Sequence, residues 1–321
     1  MIDLIIPAYN NEDTIGRTLA SILAQTRPRK FMVTVVDECS TDATAAVVAK
    51  FKGLLLLNYI KLDKNLGKPG LVRNIGIKNT KNPYIVFLDA DDILAPNAAE
   101  VLSRAILQDK PDFINSAFYQ DNRNDNYNII SSSTLTWLHG NIYSRKFLEK
   151  YSIKFDDKWN EDGSFNLKCF WLSENKKKIE QPMCYWMDNK ESVTRKNKHF
   201  MLDIGEDYVS TYTAAIQHIV NRKPLVITDI GFINICAGKL AEFIQFIDAY
   251  NYYKINTDKL YIEINEYIRK LEEYKLITSD FLKLTNTAFN KYNIFIDFVR
   301  QDTLINYLSN IGIKWSDYVN E

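Results

Sequence analysis

Four short apolar runs, separated by amphipathic stretches, fill the first hundred residues and leave few folds open to the chain. They fall at about 2–6 (IDLII), 32–37 (MVTVVD), 55–61 (LLLNYIK) and 84–88 (YIVFL). Each is continuously apolar rather than alternating, which predicts strands buried on both faces. Helical spacing appears between and after them, near 14–25, 42–51, 70–79 and 97–108. Ser40, Thr41 or Asp42 can cap the second of these helices, and Pro96-Asn97 opens the fourth. Strand, helix, strand, helix with short connections means βαβ units and a largely parallel sheet with helices on both faces.

Beyond residue 108 the pattern loosens. A further strand is expected near 112–119, a polar hairpin or loop over 121–135, and a solvated turn at Lys176-Lys177-Lys178. From about 206 only helical spacing remains, as in Leu240, Phe243, Ile244, Ile247 and in Ile264, Tyr267, Ile268, Leu271. At 321 residues two domains are expected. We place an α/β domain at 1–204 and a helical region at 205–321, suited to acceptor binding or to self-association as a homo-oligomer.

Charge and cysteine usage narrow the function. Lys plus Arg equal Asp plus Glu at 40 each, so nucleic acid is not the expected partner. The longest apolar runs, such as 53–60, fall well short of a bilayer span. The opening MIDLIIPAYN has neither a basic n-region nor a small-residue cleavage site, and a cytoplasmic setting is expected. Four scattered cysteines and three histidines offer no zinc spacing, which also fits free thiols in a reducing compartment.

Ligands of parallel α/β sheets bind where loops leave the carboxyl ends of the strands. Here those ends read Pro7-Ala8-Tyr9-Asn10, Asp37-Glu38, Asn65-Leu66-Gly67 and Asp89-Ala90-Asp91-Asp92. Carboxylates gathered on one rim repel one another unless a cation sits among them. Oxygen ligands select Mg²⁺ or Mn²⁺ over zinc, and such ions complete their shells with substrate phosphate. A nucleotide diphosphate across the rim is therefore expected. No GxGxxG follows the first strand and no GxxxxGK[ST] occurs, which disfavours dehydrogenase and P-loop readings. A nucleotidyltransferase is the alternative enzyme, but PAYNNEDT carries neither the glycine nor the lysine of its usual loop.

The segments PAYNNEDTIGRTLASILAQT, VVDECSTD, NLGKPGLVRNIGI and YIVFLDADD, in that order, resemble the donor half of family-2 glycosyltransferases with the GT-A fold. WLHGNIYSRKFL (137–148) and NEDGSFNLK (160–168) resemble that family's acceptor-side segment and its Glu-Asp motif, so the likeness runs to about residue 195. It implies a Rossmann-like, mostly parallel sheet flanked by helices, followed by the α-helical C-terminal region. It also implies inverting transfer from a nucleotide-sugar donor, usually a UDP-sugar, to a hydroxyl of a glycan, wall polymer or other acceptor. By position, Asp89 would contact ribose and Asp91 the metal, with Asp89 close to it. Asp37 and Glu38 match an Asp-Asp pair that recognises the base; Glu38 is one methylene longer, and Cys39 replaces the usual glycine. Pro7, Tyr9 and Asn10 would line the nucleotide site, with Asn65, Gly67, Arg73 and Asn74 flanking base and phosphates. Asp162 would be the catalytic base with Glu161 beside it, and His139 falls near the acceptor. Asp92 reads as a brace of the loop, and SVTR at 192–195 as a solvated linker rather than a basic lid. Glycosylation of a modified nucleic-acid base, or a silent module that only binds a nucleotide sugar, are the remaining alternatives.

Overall fold

The computed structural model of the chain describes residues 1–26, 30–122, 126–132, 135–189 and 199–291, together with Ser309. It divides into two compact units, Met1–Arg195 and Lys196–Glu321. Residues 192–195, the SVTR stretch, lie outside the described residues.

The first unit is built on parallel strands β1 (Ile2–Ala8), β2 (Phe31–Asp37), β3 (Leu57–Lys61) and β4 (Tyr84–Phe87). Between them run helices α1 (Ile15–Leu23), α2 (Thr44–Ala49) and α3 (Pro69–Lys78). β1 pairs in register with β2 from Ile2↔Phe31 to Ala8↔Asp37 and with β4 from Ile2↔Tyr84 to Ile5↔Phe87. The Leu4, Ile5 and Ile6 side chains are wholly buried. Each contributes about 1.5–3 kcal/mol through removal from water. The predicted third strand starts two residues late, because Leu54 and Leu56 are exposed while Leu55 turns into the core. α1 buries Ile15, Thr18, Leu19 and Ile22, the i, i+3, i+4, i+7 stripe of an amphipathic helix.

Past β4 come the two-residue strand β5 (Ile93–Leu94), helix α4 (Ala98–Asp109) and strands β6 (Phe113–Ser116), β7 (Phe118–Asp121) and β8 (Tyr127–Ile130). They are followed by β9 (Ile142–Ser144), helices α5 (Arg145–Lys150) and α6 (Glu161–Leu172), and strands β10 (Lys176–Ile179) and β11 (Cys184–Trp186). The seven-stranded sheet has the order β10-β6-β9-β4-β1-β2-β3, with β9 antiparallel to both neighbours. A second sheet has the order β5-β11-β7-β8.

Two local expectations change. The single strand near 112–119 divides at Ala117, whose N–H donates to Ile179 O while its carbonyl accepts from Met183 N–H, so β6 and β7 belong to different sheets. Lys176-Lys177-Lys178 is not a turn but most of β10, an edge strand paired in parallel with β6. Lysines suit an edge that must not pair further, and the Lys176 stem crosses the Phe170 ring with Nζ 4.5 Å from its centroid.

The second unit carries helices over Gly205–Arg222, Ile230–Tyr252, Asp258–Glu273 and Ser279–Lys291. All eight residues singled out by helical spacing are buried. The Tyr267 hydroxyl donates to Cys236 O at 2.8 Å, and Lys239 sits between Glu242 and the Tyr208 hydroxyl. Ile230–Tyr252 is, by length and composition, apolar enough to cross a bilayer, which corrects the expectation that no segment qualifies. Lys239, Glu242 and Asp248 break its sequence into short apolar runs. Over half of its apolar window is buried, as in the core helix of a soluble protein.

Gly76 lets α3 close on β1, since a Cβ there would lie 2.4 Å from Ile5 Cγ2. Overpacking of this kind costs about 1–3 kcal/mol, more than the ~1 kcal/mol of helix propensity that alanine returns. Gly76→Ala is expected to lower Tm in differential scanning calorimetry, and to lower it less in an Ile5→Ala background, where the clashing Cγ2 is gone. An unchanged Tm would show that the two elements part without cost.

Candidate active site

Parallel register brings the carboxyl ends of β1, β2 and β4 to one edge, and the loops that leave them are laced together. Asn10, at φ +51°, donates its N–H to Ser40 Oγ and accepts from Thr41 N–H at Oδ1. Glu12 accepts from Ala43 N–H, and Asp42 from Glu12 N–H and Thr44 N–H, so Asp42 orients the start of α2 as well as the neighbouring loop. Pro7 is half-buried within β1, and Tyr9 is exposed at the rim.

Asp37 and Glu38 take separate paths. The wholly buried Asp37 carboxylate accepts from Ser40 N–H and from the Tyr59 hydroxyl. Burial and this bond raise the Tyr59 pKa and keep the phenol protonated. Glu38 uses its extra methylene to reach the third loop, where Oε1 accepts from Leu66 N–H at 2.5 Å and Gly67 N–H at 2.7 Å. Asn65 Oδ1 accepts from the same Gly67 N–H. The two base-side segments read from sequence are thus joined through Glu38. Cys39, where a glycine is usual, adopts φ +64° all the same.

Arg73 is the centre of the site. The resemblance sets it beside base and phosphates; the structure buries it, with 4% of its side chain exposed. Nη2 donates to Asp89 at 2.8 Å, while Nη1 donates to Glu161 and Asp162 at 3.0 Å each. Its Nε–H is buried with no partner among the described residues. Gly70, one turn earlier, allows this approach, because a Cβ there would meet Glu161 Cγ at 2.7 Å and Asp156 O at 2.9 Å. The Asn74 amide exchanges two hydrogen bonds with the Phe155 backbone, fixing α3 to the segment before α6. Glu161 and Asp162 form the first turn of α6, where the helix dipole favours negative charge. The carboxylates keep an open side: Asp89 is 36% and Asp162 28% exposed.

One guanidinium cannot neutralise three carboxylates. Burial works to raise Asp89, but the charge and hydrogen bond of Arg73 outweigh it and hold Asp89 low. Asp162 and Glu161 go the other way. Burial pushes Asp162 up to about 8, against the pull of Arg73 and with the help of Glu161 and Asp89. Glu161 is raised by the same combination of burial and carboxylate neighbours.

The loop after β4 continues the imbalance. Asp91 Oδ2 accepts from the Asn189 amide at 2.7 Å, and Arg17 and Thr18 of α1 clamp the backbone carbonyls of Asp91 and Ala90. Burial, then Asp89, raises Asp91. Asp92 is wholly buried; Oδ1 accepts from Met187 N–H, and Oδ2 faces His139 Nδ1 at 3.2 Å. Burial pushes Asp92 up to about 6. Burial would lower His139, but its bonds to Asp92 and Cys184 raise it well above the usual imidazole range. His139 also stacks on Trp186 and packs against Phe118, so its immediate partners are Asp92 and an aromatic cluster.

Asp89, Asp92 and His139 place potential ligand atoms within 4.8 Å of one another. Asp91, Asp92 and Asp162 are all held above the ordinary carboxylate range. A rim short of positive charge in this way fits a divalent ion. The family resemblance paired Asp89 with Asp91 and left Asp92 and His139 in other roles. Arg17, Tyr59 and Asn189 carried no sequence signal, since each reaches its partner from a different helix, strand or loop.

Residues 3–165, just over half of the chain, match the glycosyl transferase family 2. The poly(ribitol-phosphate) beta-N-acetylglucosaminyltransferase TarS of Staphylococcus aureus is 39% identical over 92 residues, 28% of this chain and 16% of TarS. TarP of the same species, also a poly(ribitol-phosphate) beta-N-acetylglucosaminyltransferase, is 28% identical over 193 residues, 54% of this chain and 58% of TarP. The chain thus covers less than two thirds of either relative. The crystal structure of TarS 1–349 in complex with UDP-GlcNAc shares the fold with a TM-score of 0.58 at 20% identity, over 85% of this chain and 91% of that one. The mannosyltransferase PcManGT from Pyrobaculum calidifontis, in complex with GDP-Man and Mn²⁺, gives 0.52 at 19% identity, over 67% and 64%. With its acidic rim on a mostly parallel sheet, the chain belongs to glycosyl transferase family 2 and has the GT-A fold.

Proposed function

We propose that the enzyme transfers a sugar, with inversion, from a UDP-sugar to a hydroxyl of a glycan or wall polymer. The observation that carries this reading is the Arg73 bridge, which sets the rim acid Asp89 beside Glu161 and Asp162 through one guanidinium. An acid at the donor edge and an acid suited to deprotonating an acceptor are thereby neighbours. TarS has been crystallised with UDP and with UDP-GlcNAc, and TarS and TarP are named for a wall polymer, which supports both halves of the reading.

Asp89 and Asp91, with Asp92 and His139 behind them, would hold Mn²⁺ or Mg²⁺. When bound, such an ion stabilises charge on the departing diphosphate as a Lewis acid, and the Mn²⁺ in PcManGT supports that choice. Pro7, Tyr9, Asn10, Asp37 and the Glu38–Gly67 junction form the base side of the donor site. Asp162 accepts the proton of the attacking hydroxyl, an aid worth about 10²–10⁴-fold. Arg73 orients Asp162, and Glu161 shares that guanidinium. The same reading puts the enzyme in the cytoplasm, which four free cysteines suit, and gives the helical unit to acceptor binding or self-association.

Calorimetry with UDP, with and without Mn²⁺, tests the donor half: binding should require or be strongly enhanced by the ion, and metal-independent binding would count against it. Asp162→Asn should reduce transfer by about 10²–10⁴-fold while UDP affinity stays within a few-fold. Loss of both together would make Asp162 a structural group.

The raised Asp162 pKa fixes two signs. The working base is the ionised form, so kcat/KM should climb with pH toward about 8 and then level. In the fold, the protonated form is the favoured one. Its stabilising contribution is complete below the ordinary carboxylate pKa and lost as pH rises through about 8. Asp162→Asn should therefore gain Tm over the wild type at pH 8.5 and lose that advantage at pH 5. A Tm difference independent of pH would contradict the assignment.

A further inference from the structure

The second sheet has two unlike faces. On one, Phe118, Trp186 and Cys184 pack with His139 behind the acidic rim. On the other, Tyr119 of β7 and Tyr185 of β11 stack with ring centroids 4.6 Å apart, and Tyr127 of β8 meets Tyr185 edge-on at 5.2 Å. Beside this pair lies a groove of about 340 Å³, completed by Pro96, Asn97, Gln181 and Pro182. That volume falls in the range of small-ligand sites. Among the described residues, the side chains of Tyr119, Tyr185, Asn97 and Gln181 have no hydrogen-bond partner in the protein.

The lining selects a chemical class. Aromatic and proline carbon suits the apolar faces of pyranose rings, and primary amides and phenols suit their hydroxyls. Among the described residues, no charged side chain lines the groove. An anionic polyol phosphate would find no cation among these lining residues, and phosphate recognition relies on Arg or Lys. The groove is also tied to the rim. β5 follows Asp91-Asp92 directly, and Ala95 N–H bonds to Met183 O beside Cys184. Asn97 lies five residues beyond Asp92, at most ~18 Å along the chain, a distance that a few sugar units span.

We propose that the Tyr119–Tyr185 groove is a glycan subsite that holds a neutral, pyranose-containing segment of the acceptor away from the bond being formed. This rests on the glycosyl-transfer reading above and narrows its acceptor.

The test is calorimetry or saturation-transfer NMR on the full chain with cellotetraose, chitotetraose and maltotetraose. At least one should bind the wild type. Tyr185→Ala and Tyr119→Ala should each weaken that binding about tenfold, with unfolding curves checked for each variant. Gln181→Ala, at an exposed position, should weaken it about threefold and keeps the question open if a tyrosine variant fails to fold. The assignment falls if no tetrasaccharide binds, if the folded variants bind as the wild type does, or if poly(ribitol phosphate) displaces the tetrasaccharide from the groove. Metal-dependent hydrolysis of UDP-sugars without acceptor reports the donor reading separately. Hydrolysis with no groove binding overturns the subsite alone; groove binding sensitive to Tyr185 with no hydrolysis overturns the donor reading alone.

Discussion

A single buried guanidinium holds this site together. Arg73 arises from α3, yet its three acceptors come from the loop after β4 and from the first turn of α6. Burying an arginine is costly unless its charge is met, and burying carboxylates is costly for the same reason. Each element therefore stabilises the placement of the others. The packing follows: Gly70 lets Glu161 approach, Asn74 fixes the Phe155 backbone, and Lys168 and Ser164 hold Asp156 in the preceding loop. The chain spends local packing freedom on one charge cluster.

That cluster is left deliberately unbalanced. Asp89, closest to the full charge of Arg73, stays ionised, while Asp162 and Asp92 are lifted by burial. Two carboxyl groups sharing one guanidinium thus hold their protons differently, a separation that lets one act as a standing charge and the other as a proton acceptor.

How much of this could be read from the sequence depends on range. Continuous apolar runs gave the parallel strands because burial on both faces leaves a local signature, and Asp37, Asp89 and Asp91 stood out because strand ends define the rim. The Arg73 partners lie 16, 88 and 89 residues away, and no spacing rule reaches that far. The pairing of His139 with Asp92 was out of reach for the same reason, since it depends on the segment before β9 meeting the loop after β4. The lysine run at 176–178 looked like solvent-facing charge, and it is, but an edge strand has a solvent-facing side too. Glu38 shows the reverse case. Its extra methylene was visible as a departure, and only the structure shows that the added reach goes to Leu66 and Gly67.

Ala117 alone separates β6 from β7, and it is hydrogen-bonded on both sides of that crossing. With no slack between the two sheets, they cannot slide independently. A disturbance in the central sheet near Ser116 would reach the tyrosine face as a change of tilt, so mutations far from any ligand could alter which acceptors fit without touching the chemistry.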